Sequence, residues 1–277
     1  MEADSPGSGQ RAREEKRRKE KRRKSQGNRL RKDRKIMNIC VYKDAEAIGM
    51  AAAALFAACV TQNPRCVLGL ATGSSPLPTY QKMAEMYRAG AVDFSGVTTY
   101  NLDEYVGIDH THAQSYYCFM MENLFRHINV KQENIHVPSG VAPDLEKECA
   151  DYEAAIASAG GIDLQILGIG RNGHIAFNEP SDSFPPATHI VDLTESTINA
   201  NKRFFASADD VPRRAVTTGI GTIMKARAIV LVATGADKAE AVRAMAKGTV
   251  TPRCPASILQ FHPRTTILLD EAAASLL

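Results

Sequence analysis

The chain has 277 residues, 44% of them hydrophobic, and a formal net charge of +3 from 34 basic and 31 acidic side chains, enough for one large α/β domain or two small ones. No apolar run approaches the ~20 residues that a bilayer crossing needs, and the N-terminus is charged rather than apolar, against a secretory signal. The six cysteines are scattered with no C-x-x-C pair, which excludes a zinc site and a disulfide framework and reads as reduced thiols in the cytoplasm.

Residues 1–36 hold 15 of the basic and 6 of the acidic side chains, leaving 19 and 25 for the rest. A strongly basic tail is thus joined to a mildly acidic body. The tail has almost no apolar residue before Ile36 and cannot bury a core, so disorder is expected. Its run KRRKEKRRK would attract phosphates, yet no aromatic interleaves the charges for base stacking. It reads as a solvated extension, or as an upstream in-frame start ahead of Met37, in preference to a nuclear-localisation or RNA-binding arm.

From Met37 onward, apolar runs alternate with helical patterns. NICVY reads as a strand, residues 44–60 as an Ala-rich helix, and CVLGLATG (66–73) as a buried strand ending in a Gly/Ser turn. A helix over 77–89 follows. VTTYNLDEY (97–105) reads as one strand with a polar end, then come helices near 115–127 and over 145–159. IDLQILGIG and AIVLVATG (228–235) are further strands, the second followed by a helix over 237–247, and TTILLD (265–270) is the last. Strands separated by helices predict βαβ units and a mainly parallel sheet covered on both faces, in one α/β domain over 37–277. Residues 181–220 are less regular and predict a small hairpin or lid.

ATGSSP (71–76) and ATGADK (233–238) each end an apolar strand and open a helix. A Gly turn at a helix N-terminus presents backbone N–H groups to an anion, so Thr72, Gly73, Ser74 and Ser75, with Lys238 beside the second turn, suggest a phosphate pocket.

The stretch GIGRNGHIAFNEP (168–180) contains a literal G-x-G-x-x-G, with Asp192 about 20 residues further on, as a dinucleotide fingerprint has. That fingerprint requires a helix to begin within the glycines, and Pro180, Pro185 and Pro186 interrupt any helix here. No phosphate-loop or nucleophile-elbow motif occurs, and the histidines do not cluster at metal-ligand spacing. What remains is polar groups at strand ends. Asp103 and Glu104 end an apolar run with side chains on opposite faces, so one can face a pocket while the other is solvated or paired. Gly173 turns the chain tightly beneath His174, with Asn172 to orient it and Glu179 within reach to hold its cation, the parts of a proton shuttle. Asn201, Lys202 and Arg203 could clamp an anion. Carboxylate and imidazole without nucleophile, metal or cofactor suit proton abstraction beside a carbonyl, with a phosphate as handle. The residues alone leave a phosphosugar isomerase or a lactonase.

Over 37–270, the motifs LGLATGSSPLPTY, TTYNLDEYVGI with QSYYCFM, GIGRNGHIAFNEP, NKRFF, ATGADKAEAV and ILQFHP together closely resemble the glucosamine-6-phosphate deaminase (isomerase) family. The resemblance implies a single three-layer Rossmann-like domain, conversion of glucosamine 6-phosphate and water to fructose 6-phosphate and ammonia, and no metal or organic cofactor. It implies Asp103 as the base that takes the C2 proton, and His174 as proton carrier in ring opening, supported by Asn172 and Glu179. Thr72, Gly73, Ser74, Ser75, Arg203 and Lys238 match its phosphate-binding positions. Some members carry Asp where this chain has Asn172, and an amide orients a histidine without adding charge. The basic and hydroxyl residues expected of members activated by N-acetylglucosamine 6-phosphate are replaced here by His189, Val191 and Asp192, so no such activation is expected. The implied partner is a small phosphosugar, without membrane or nucleic acid; a homo-oligomer is compatible with the sequence but not specified by it. The alternatives are 6-phosphogluconolactonase, which needs no enolising Asp, and a non-catalytic sugar-phosphate sensor, whose helix-turn-helix domain 36 core-less residues cannot supply.

Overall fold

Asp44 starts the first helix: its carboxylate accepts the Ala47 N–H at 2.8 Å, satisfying a donor that the first turn would otherwise orphan. The computed structural model describes residues 37–202, 205, 207 and 210–277; the basic tail and Arg203 lie outside the described residues. In chain order the elements are β1 (Asn38–Tyr42), α1 (Ala45–Gln62), β2 (Val67–Leu70), α2 (Leu77–Arg88), β3 (Thr98–Asn101), β4 (Asp103–Tyr105), α3 (Tyr116–Asn123), β5 (Ile135–His136), α4 (Leu145–Ser158), β6 (Leu164–Leu167), β7 (His189–Asp192), α5 (Glu195–Asn201), β8 (Arg214–Thr217), α6 (Ile220–Met224), β9 (Ala228–Ala233), α7 (Ala239–Lys247) and β10 (Thr265–Asp270).

Seven strands form one parallel sheet in the order β1-β10-β9-β6-β2-β3-β5. Its central strands are buried end to end, as strands covered on both faces must be. From β2 the chain proceeds to β3 and β5 on one side; from β6 it proceeds to β9 and β10 on the other. Right-handed crossovers place the helices of these two series on opposite faces, giving three layers. β2 and β6 are adjacent, and their connections leave in opposite directions. That is a topological switch point, where open α/β sheets bind ligands beyond the carboxyl ends of their strands.

Residues 97–105, expected as one strand, are two. Leu102 is the pivot: its N–H donates to the Leu70 carbonyl at 3.0 Å, and its carbonyl accepts from the Thr218 N–H at 2.8 Å. Before it, β3 lies in the parallel sheet. After it, β4 joins an antiparallel sheet of order β4-β8-β7, with Asp103 opposite Thr217. The irregular 181–220 region is therefore a hairpin, β7 with β8, carrying α5 between its arms. Tyr105, Ile108, Phe177, Leu193, Ile198, Val211 and Ala215 form a second, smaller core beneath it.

Three expectations shift in detail. The helix near 115–127 is α3 followed by a separate 3-10 turn, Phe125–His127, and the helix over 237–247 is α7 preceded by the 3-10 turn Ala236–Lys238. α1, at 18 residues, is long and apolar enough to cross a bilayer by length and composition, contrary to the expectation that no run approaches this. It is a core helix here, because Ile48, Ala52, Ala53, Phe56 and Val60 are buried in the main core.

Candidate active site

Four adjacent strands, β9, β6, β2 and β3, end on the same side of the parallel sheet, and the loops beyond them carry the residues singled out in the sequence. Beyond β2, Gly73 has φ +94 and nothing within 4 Å of where a Cβ would sit. A left-handed turn, rather than crowding, calls for glycine there. The N–H groups of Gly73, Ser74 and Ser75 meet no acceptor among the described residues, so the turn is a concavity of donors suited to an anion. The second ATG turn differs: the Gly235 N–H donates to both Asp270 carboxylate oxygens, at 3.1 and 2.9 Å. It is tied to β10 instead of offering that donor, and its contribution is the half-buried Lys238. Arg171 and Asp237 bridge the loops beyond β6 and β9 at 2.8 Å.

Two of the three glycines beyond β6 are required by their surroundings. At Gly168 a Cβ would stand 3.7 Å from the Ser75 side chain, an ordinary contact that does not call for glycine. Gly170 makes room for the imidazole: a Cβ there would lie 2.3 Å from His174 Cε1. Gly173 has φ +85, and a Cβ on it would meet Cys254 Sγ at 2.6 Å. The Gly173 carbonyl accepts from the Ala256 N–H at 2.9 Å, so the turn rests on the segment before the last strand. Ala176, at φ 52, is the described non-glycine residue with positive φ, a strained position of the kind that persists where surrounding structure enforces it.

His174 Nδ1 is buried and faces Glu179 Oε2 at 3.4 Å. Asn172 orients this pair indirectly. Its amide Nδ2 donates to Glu179 Oε2 at 2.7 Å and its Oδ1 accepts from the His174 backbone N–H at 3.2 Å; neither atom bonds the ring. The other Glu179 oxygen, Oε1, accepts from the hydroxyls of Thr197 and, at 3.3 Å, Thr194. Burial alone would raise the Glu179 carboxyl, but His174, Thr197 and Asn172 outweigh it and hold it down at about 2.

Asp103 is 6% exposed and has no hydrogen bond or cationic partner among the described residues. Burial first, and then the charge of Glu104, push its carboxyl up to about 8. Around it stand Tyr80, Tyr105, Tyr116 and Tyr152, whose hydroxyls feel its charge. Tyr116 donates to the Tyr105 hydroxyl at 3.1 Å. Glu104 is neither solvated nor ion-paired. It accepts the N–H groups of Tyr105, Tyr116 and Tyr117 at 2.9, 3.0 and 3.1 Å, fastening β4 to the start of α3. Burial raises it to about 7 against those bonds.

β8 holds the two halves together: Thr217 lies opposite Asp103 in the small sheet, and its hydroxyl accepts from the Phe177 N–H at 3.1 Å. Thr194, Thr197, Tyr116 and Thr217 were not singled out by sequence reasoning. The only signal was the Thr194–Thr197 spacing, which marks a helix start, where the Thr194 hydroxyl accepts from the Thr197 N–H at 3.3 Å.

Residues 43–268 match the family model described as glucosamine-6-phosphate isomerases/6-phosphogluconolactonase. A glucosamine-6-phosphate deaminase of Thermoanaerobacter pseudethanolicus is 54% identical over 241 residues, 87% of this chain and 95% of that one. The solved structure of a monomeric glucosamine-6-phosphate deaminase is 43% identical, with a TM-score of 0.85 over 87% of this chain and 100% of its own. A 6-phosphogluconolactonase of Trypanosoma brucei, 19% identical with a TM-score of 0.68 over 87% of this chain and 98% of that one, shares the fold.

Proposed function

This chain belongs to the glucosamine-6-phosphate isomerase/6-phosphogluconolactonase family, and from that premise we propose that it converts glucosamine 6-phosphate and water to fructose 6-phosphate and ammonia. The observation that carries the reading is one sheet edge bearing both a buried carboxylate with no cationic partner among the described residues and a His–Glu pair at 3.4 Å. Hydrolysis of a lactone has no use for a desolvated carbon base, whereas proton abstraction beside a carbonyl does.

His174, its Nδ1 turned to Glu179, moves a proton from the C1 hydroxyl to the ring oxygen and opens the pyranose. Glu179 and Asn172 keep the imidazole in place while it carries charge. Asp103, ionised, then takes the proton from C2; the electron pair enters a C1–C2 double bond, the aldehyde oxygen gains a proton and the ammonium loses one. Return of the proton to C1 leaves an iminium at C2. Water adds there and ammonia departs, giving the ketone. The turn of Thr72, Gly73, Ser74 and Ser75 holds the phosphate with Lys238 and Arg203. No metal or organic cofactor is called for. In keeping with the monomeric relative, the protein is expected to be a monomer, near 30.1 kDa by light scattering. It is further expected to be cytoplasmic and indifferent to N-acetylglucosamine 6-phosphate.

The test is ammonia release from glucosamine 6-phosphate, with wild type beside Asp103→Asn. Loss of turnover by about 10²-fold or more is expected from removal of the base. Wild type that binds the sugar phosphate without releasing ammonia, or an Asn variant that turns over normally, would overturn the reading.

A further inference from the structure

We propose that Thr197 is a positioning residue for the proton carrier: its hydroxyl, on α5, fixes the Glu179 carboxylate in the orientation that faces the imidazole. The inference rests on the reading of His174 and Glu179 as the ring-opening pair.

A carboxylate on a freely turning side chain presents either oxygen in many directions. Here the two oxygens are divided between two sides. Oε2 serves Asn172 and His174, and Oε1 serves Thr197 and Thr194. Removing the Thr197 hydroxyl leaves Oε1 with the longer Thr194 contact at 3.3 Å and Oε2 with Asn172, and the imidazole contact at 3.4 Å is too long to hold the group by itself. Thr197 is itself held. It is 6% exposed, its Oγ1 also accepts from Thr194 Oγ1 at 3.2 Å, and the next residue, Ile198, lies in the small core with Phe177, two positions before Glu179. Hydroxyl and carboxylate therefore hang from the same apolar cluster, and their contact does not depend on the exposed part of the hairpin. Thr194 is the poorer probe, because its hydroxyl also caps α5.

The experiment compares Thr197→Val, which keeps the shape and removes the hydroxyl, with Thr197→Ser, which keeps the hydroxyl. The assay is ammonia release, with Tm followed alongside. A hydrogen bond to a charged group at this position predicts kcat about tenfold lower in the Val variant. KM should stay within roughly twofold, since no substrate contact is lost, and Ser should restore most of kcat. A merely structural role predicts a lower Tm with kcat unchanged once the folded fraction is counted, and that result overturns the proposal, as does a Ser variant as slow as Val. His174→Gln in the same assay separates the two levels of argument. If it collapses turnover while Thr197→Val does not, only the role of Thr197 fails. If neither change affects turnover, the ring-opening reading fails with it.

Discussion

Asp103 and Glu104 share a strand and a charge but not an environment. Three backbone donors satisfy Glu104, whereas Asp103 has burial and a like charge to contend with, and its carboxyl rises from the ordinary 3.8 to about 8. A carboxyl raised in the folded state holds its proton more tightly there than in the unfolded chain. Its contribution to stability is full below about 3.8 and is lost as pH rises through about 8. Asp103→Asn removes that loss. The variant should match wild type near pH 4 and melt higher near pH 8, by ~2–4 °C for each kcal/mol recovered in a domain of this size. Equal melting at both pH values would show that the carboxylate is not desolvated. The same ionisation makes wild-type kcat/KM climb with pH towards about 8. The kcat limb should lie lower, because the substrate ammonium beside the carboxylate favours its charged form. Asn172 illustrates how far a sequence carries at this scale. Its place next to His174 was legible, but its partner was not: the amide holds Glu179 at 2.7 Å and never touches the ring. Asn172→Asp therefore puts a second carboxylate against Glu179, and the added negative charge should move the kcat–pH curve to higher pH. A curve that stays in place would mean that the imidazole does not sense this position.

At the scale of elements, the parts with strong local patterning were legible, and those decided by distant partners were not. TTILLD lies in the structure as β10 over the expected residues, because an unbroken apolar run bounded by turns has few other uses. VTTYNLDEY reads equally well as one strand. Only the opposite calls on Leu102, its N–H by Leu70 and its carbonyl by Thr218, divide it and bring Asp103 off the main sheet. The glycine loop is a mixed case. A sequence shows glycines but not why each is there: Gly170 makes room for an imidazole, Gly173 takes a left-handed turn, and Gly168 has ordinary space for a side chain. Gly170→Ala separates the first reason from the second, since Gly170 is not among the residues with positive φ and its backbone tolerates a side chain. The new methyl would stand 2.3 Å from the His174 ring and must displace it. Displacement on the order of 1 Å is expected to lower kcat by about 10²-fold while leaving Tm and KM close to wild type. A Gly170→Ala enzyme with full kcat would mean that the proton carrier needs no fixed seat.

For the molecule as a whole, the switch point between β2 and β6 brings together four loops that are far apart in the chain, and a βαβ pattern predicts such an edge without saying which strands flank it. Burial follows strand order. Within the parallel sheet the strands buried at every residue, β2 and β6, are central, while β1, with two of its five residues exposed, is at the rim. Every group proposed to act on substrate lies between Thr72 and Lys238, and 87% of this chain suffices to cover the whole of the monomeric deaminase structure. Residues 1–36 carry 15 basic side chains and few apolar ones, and the expectation is that the domain folds and acts without them. Deleting them should leave kcat/KM within roughly twofold and Tm unchanged. It should also turn a net positive chain into one with 19 basic and 25 acidic residues, which an anion exchanger retains at neutral pH. A steering role for the tail makes a sharper contrast, because the substrate is an anion and attraction by exposed charge weakens with salt. If the tail steers, the full chain loses kcat/KM between low and physiological ionic strength more steeply than the truncated one. Parallel salt curves for the two proteins are the expected result, and diverging curves would give the tail a part in substrate capture.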